Sequence, residues 1–216
     1  MTRFLNRKLL SAVAAASLMA MAGTAQAAIY ITAGPGGPNP DENVLFNTGG
    51  QTGTTITGHT NTTNLLVNFT GLEQIHAAGG QADITGVDGG FKYLEWSMDD
   101  PSIGYSDLKL NILANLNGQV TLTFYDQLGN DYSGVFNISK NGQNFFQAHV
   151  DAGSLITLAK LETTKDITHV QQVRLGGFET VSEVPEPATW MTMIAGFGMV
   201  GFALRRKSDK VRQVLA

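Results

Sequence analysis

Short segments of the chain alternate apolar and polar residues with a period of two. In Val120-Thr-Leu-Thr-Phe124, Val120, Leu122 and Phe124 share one face while Thr121 and Thr123 take the other, and Leu108-Lys-Leu-Asn-Ile112 repeats the pattern. That period belongs to strands with one face on a core. The same reading predicts strands at Leu65–Thr70, Phe91–Met98, Tyr132–Ile138, Phe145–Val150, Leu155–Lys160 and Ile167–Phe178. Between them lie turn signals: Asp88-Gly-Gly90, Asn117-Gly118, Gly129-Asn130, Asn141-Gly142 and Ala152-Gly153. The Pro/Gly-rich Ala33–Glu42 predicts a loop, extended here to residues 28–43, and Gly71–Gly79 reads as a short helix or a loop. Frequent short strands without a long amphipathic helix predict an all-β fold, an antiparallel jelly-roll-like β-sandwich over residues 28–183.

The two ends follow other patterns. Residues 1–27 open with Arg3, Arg7 and Lys8, run apolar from Leu9 to Gly23 and close on Ala25-Gln26-Ala27, the layout of a signal peptide cut between Ala27 and Ala28. Near the other end stand Val184-Pro-Glu-Pro187, an apolar stretch from Ala188 to Leu204, and Arg205-Arg206-Lys207. Seventeen helical residues reach about 25 Å, slightly short of a hydrocarbon core of about 30 Å. Such a segment spans once if Trp190 sits at the outer interface and the basic cluster at the inner headgroups. The two prolines break the backbone ahead of it and leave an extended strip just outside the bilayer. The basic cluster sets the orientation: residues 28–183 outside, residues 208–216 a cytoplasmic tail. Gly196-Phe-Gly198-Met-Val-Gly201 matches a dinucleotide fingerprint only formally, because no strand precedes it and no acid follows at the required distance. These glycines suit close packing of a membrane helix.

The tail resembles the PEP-CTERM sorting signal of Gram-negative bacteria, in the variant with Trp three residues after the second proline. The resemblance rests on Val184, Pro185, Glu186, Pro187, Trp190, Met193, Ile194, Gly196, Phe197, Gly198, Gly201, Arg205 and Arg206. It implies recognition by an exosortase, a membrane-embedded cysteine transpeptidase, with Pro185, Glu186 and Pro187 as the processing site and this chain as substrate. Carriers of such tails tend to occur in bacteria that make extracellular polysaccharide. Ser208–Ala216 extends beyond the usual end of the pattern.

Charge is distributed in keeping with export. The 216 residues hold 14 Lys+Arg and 18 Asp+Glu. Three basic groups fall in residues 1–27, and five, with one acid, in the last twelve. The middle keeps six basic against seventeen acidic groups, a formal charge of −11, which disfavours nucleic acid. The absence of Cys excludes disulfides, Cys-ligated zinc and thiol nucleophiles.

Candidate chemistry in the middle is sparse. Glycoside hydrolysis needs two facing carboxylates, and alternation brings no such pair together among Glu95, Asp99, Asp100, Asp107, Asp126, Asp131 and Asp151. A structural calcium would take carboxylates from irregular loops, with Asp99, Asp100 and Asp107 as candidates. His59, His76, His149 and His169 stand singly, without zinc spacing. Sugar binding needs aromatic faces with amides alongside. By parity Trp96 joins the core, while Tyr93 and Tyr125 face the other way and form a candidate platform. The expected function is a non-catalytic exported protein of the envelope or extracellular matrix. It is anchored in the inner membrane until an exosortase acts, and it is associated with exopolysaccharide or biofilm. The alternatives are a carbohydrate-binding module of that matrix and a glycan-active hydrolase or lyase.

Overall fold

The computed structural model describes residues 28–47, 49–140, 142–151, 153–181 and 193–198. The chain divides into two units, Met1–Thr180 and Val181–Ala216. The first unit is built from fourteen described strands. These are β1 (Ile29–Ala33), β2 (Glu42–Phe46), β3 (Gln51–Thr60), β4 (Leu66–Ala77), β5 (Gly80–Gln81), β6 (Asp83–Gly86), β7 (Phe91–Met98), β8 (Ile103–Gly104), β9 (Asp107–Ala114), β10 (Gly118–Asp126), β11 (Asp131–Ile138), β12 (Asn144–Val150), β13 (Ile156–Gly176) and β14 (Glu179–Thr180). Their pairings are antiparallel, and twelve of them join one sheet system.

The strand β13, 21 residues long, organises the rest. Its first part lies between β7 and β10, with Leu161 opposite both Leu94 and Leu122. Its second part lies between β9 and β6, with Val170 opposite Ile112 and Ile84, and then meets β2. Two strand groups therefore share it: β3–β4–β7–β13–β10–β11 and β1–β12–β9–β13–β6. Their apolar positions meet in one buried cluster that includes Phe69, Trp96, Leu122, Leu161, Leu110, Ile84 and Phe146. Phe69 and Trp96 stack with ring centroids 6.4 Å apart. The buried Tyr105 hydroxyl and Trp96 indole N–H form no hydrogen bond of good geometry. Burial drives the Tyr105 pKa far upward, with the neighbouring Trp96 side chain opposing it.

Three expectations need correction. Residues 28–43 are not one loop: Ile29–Ala33 pairs with Val150–Phe146 of β12, and β2 begins at Glu42. A five-residue strand carries too short an alternation to announce itself, and its hydrogen-bonding partner lies far away in sequence. Nor is Gly71–Gly79 a helix or loop, because β4 continues to Ala77. Opposite it, β3 passes from Gly53 to Thr55 while β4 passes from Ile75 to Thr70, so the extra residues bulge. The bulge leaves Leu72, Glu73 and Gln74 exposed and breaks the period of two. The segments Leu155–Lys160 and Ile167–Phe178 fall, but for Leu155, Gly177 and Phe178, in the single strand β13, joined through Leu161–Asp166. That join also shifts register against β7. A further bulge between Gln171 and Arg174 puts Gln172 at φ 56, a left-handed conformation rare for a residue with a side chain.

Residues 1–27 with Ala25 and Ala27, the strip Val184, Pro185, Glu186, Pro187 and Trp190, and Gly201, Arg205, Arg206 and Lys207 lie outside the described residues. In the second unit residues 193–198 are helical and include Gly196 and Gly198. Met193, Ile194 and Phe197 are exposed there. Among the described residues no helix is long and apolar enough to cross a membrane.

Candidate functional site

Because strand alternation sends every second residue outward, register decides which outward residues become neighbours. Across β3, β4, β7, β13, β10 and β11 one row reads Thr55, Thr70, Glu95, Lys160, Thr123, Ser133. The next reads Thr57, Asn68, Ser97, Leu158, Tyr125, Asp131, and a third places Tyr93 beside Glu162 and Thr121. The product is a broad face of hydroxyls, amides and two tyrosine rings over an apolar interior.

Side chains on this face bond to one another. Tyr93 donates its hydroxyl to Glu95 Oε2 at 2.6 Å, and Asn68 Nδ2 donates to Asp99 Oδ1 at 2.8 Å. The hydroxyls of Thr55 and Thr70 lie 3.0 Å apart, and those of Thr123 and Ser133 2.9 Å apart. Lys160 Nζ stands 5.0 Å from the Tyr125 ring centroid, within cation–π range. Partial burial pushes the Tyr93 pKa well above the usual phenol value, and the Glu95 carboxylate beside it pushes in the same direction. The hydroxyl is therefore a donor throughout the physiological range. Thr57 and Leu66 carry the face into a shallow cleft of about 510 Å³, lined also by Asn47, Gln51, His59 and Asn64.

Tyr93 and Tyr125, expected on one outward face, stand on it two strands apart, with β13 between them. Along the sheet they are two rows apart, Tyr93 in the row of Glu162 and Thr121 and Tyr125 in that of Leu158 and Ser97. Asp99, Asp100 and Asp107 are not brought together in this way. Asp99 bonds Asn68, whereas Asp100 turns back to accept from Ser102 N at 2.9 Å and Ser102 Oγ at 2.6 Å, which lowers its pKa. Asp107 begins a different strand and holds Ser106 Oγ and His149 Nδ1, each at 2.7 Å. Among the described residues no three His, Asp or Glu side chains group to hold a metal ion. Asp126 is buried and accepts from Leu128 N, Asn130 N and Asn130 Nδ2, so it caps the β10–β11 turn.

Single-strand parity gave no sign that Lys160, Glu95, Asn68 and Thr123 would belong with the tyrosines. Parity says which way a side chain points. Only cross-strand register says what it points beside.

Beyond this face, residues 183–207 match the PEP-CTERM protein-sorting motif. The chain carries a PEP-CTERM sorting signal. The PEP-CTERM motif implies export, sorting to the cell surface and processing by an exosortase. No curated protein matches the chain. Among solved structures it is similar to the enzymatically active domain of tailspike protein 4 of bacteriophage CBA120, at 15% identity and a TM-score of 0.25. That similarity covers 71% of this chain and 20% of the tailspike chain, so the matched part spans about a fifth of the tailspike chain's length.

Proposed function

We propose that this is an exported, non-catalytic protein of the cell envelope or extracellular matrix, cleaved at its PEP-CTERM tail by an exosortase and associated with exopolysaccharide. The observation that carries the reading is the motif match at residues 183–207. In this reading residues 1–27 are removed on export, residues 28–183 are the working domain, residues 184–207 anchor it until processing, and residues 208–216 stay inside. The domain is read as a jelly-roll-like β-sandwich, supported by two strand groups that share β13 over one core. A second reading, carbohydrate binding, is favoured by the outward Tyr93 and Tyr125 with hydroxyls and amides around them, since sugars stack on rings and bond through polar neighbours.

Deleting Val184–Ala216 tests the sorting. The truncated chain is expected in the medium, exported but unprocessed, by immunoblot of cell fractions. Envelope retention equal to that of the full chain would overturn the proposal.

A further inference from the structure

A second surface has different electrostatics. On the outward side of β12, β9 and β13, register places Gln147 beside Lys109 and Lys109 beside Arg174. Like charges directly opposite on neighbouring strands repel, and the domain around them is strongly acidic. Neither cation forms an ion pair among the described residues. Asp107, two positions before Lys109 on the same strand, is committed to Ser106 and His149.

The row is covered by the strap between β1 and β2, Gly34-Pro-Gly-Gly-Pro-Asn-Pro-Asp41. Lys109 Nζ donates to Pro35 O at 3.2 Å, an Arg174 Nη1 donates to Asn39 Oδ1 at 3.2 Å, and Gln147 Nε2 donates to the carbonyls of Gly34 and Gly36. Neutral oxygens of the strap thus occupy the donors of two cations that have no anionic partner among the described residues, although a carboxylate or phosphate-like oxyanion matches an Arg fork and a Lys ammonium in charge as well as in geometry. Other polar atoms in and beside this row are unmatched. Gln147 Oε1, Arg174 Nε and both amide atoms of Asn111 are buried without a hydrogen bond. Asn111 sits one outward position along from Lys109, opposite Phe145 and Gln171. Unmet polar atoms gathered in one patch are an expensive arrangement, and here they accompany an unneutralised cation pair.

We propose that this patch is a binding site for an acidic sugar, which displaces the strap. Lys109 and the Arg174 fork take the oxyanion, a carboxylate or a sulfate. Gln147 and Asn111 serve the hydroxyls, and Phe145, over which Lys109 stands at 5.7 Å, borders the ring. The inference rests on the proposed function only for the compartment in which the domain meets a glycan. Its test is made in vitro and fails independently of sorting.

The experiment titrates the full chain in detergent micelles with trigalacturonate, a sulfated disaccharide, cellotriose and sodium acetate, by calorimetry. Trigalacturonate or the sulfated disaccharide is expected to bind, the two arms separating carboxylate from sulfate, while cellotriose and acetate do not. Binding is expected to weaken at least about tenfold in Lys109→Gln and in Arg174→Gln and to survive in Lys109→Arg. A variant with Pro35–Pro40 replaced by a shorter glycine linker should bind more tightly. Circular dichroism checks that each variant is folded, and Lys109→Gln serves alone if Arg174→Gln is not. Failure of both acidic sugars to bind the chain and its shortened-strap variant would overturn the site. Affinity unchanged in folded Lys109→Gln, or acetate binding as well as trigalacturonate, would do the same.

Discussion

Glu42 opens β2 with a buried carboxylate, and the β3–β4 turn is built around it. Oε2 accepts from Thr62 N at 3.1 Å, Thr63 N at 2.9 Å and Thr63 Oγ1 at 3.0 Å. Burial alone would raise its pKa, but these donors outweigh that and hold it below the usual glutamate value. Because the folded-state pKa is the lower one, the stabilisation is complete above the unfolded pKa of about 4.3 and disappears as pH falls through the lowered folded value. Glu42→Gln is therefore expected to cost about 1–3 kcal/mol near neutrality. Urea denaturation of both proteins across pH checks it: the gap should be widest at neutral pH and close on acidification. Nothing in the local sequence Asp41-Glu-Asn43 marks this role, since the turn it caps lies some twenty residues on.

At the scale of elements, β13 is the strand on which both groups depend, and its central residues have neighbours on either side. Leu161 is fully buried between Leu94 and Leu122. Leu161→Ala should cost about 2–5 kcal/mol, the range for a truncated core leucine. Leu128, 65% exposed in the β10–β11 turn, should tolerate alanine within about 0.5 kcal/mol. Thermal or urea unfolding of the two variants measures the contrast. Segments with uninterrupted alternation, such as Leu94–Met98 of β7 and Val120–Asp126 of β10, were legible in the sequence. The bulges were not: at Gly71–Gln74 three extra residues and at Gln171–Arg174 one extra residue shift the period, and what holds the strand together there is hydrogen bonding to distant partners. The shortest strands, β5, β8 and β14, have two residues each and no period to read.

For the molecule as a whole, basic groups gather at the two ends and an acidic stretch lies between them. Mass spectrometry of the exported protein should find Ala28 as its first residue, and a mature form beginning at Met1 would contradict the reading of residues 1–27 as a removed leader. The sequence alone determined the sorting signal, because proline, an apolar run and arginines act through local composition and order. It likewise determined the β character and the outward direction of Tyr93 and Tyr125, both consequences of a period of two. Only the tertiary structure decided that Lys160 would stand over Tyr125, that Lys109 would face Arg174 beneath a Pro/Gly strap, and that Asp107 would serve His149 and Ser106 rather than join Asp99 and Asp100. Each of these depends on the register between strands distant in sequence, which is set by how all their apolar faces share one core and leaves no trace in any single segment.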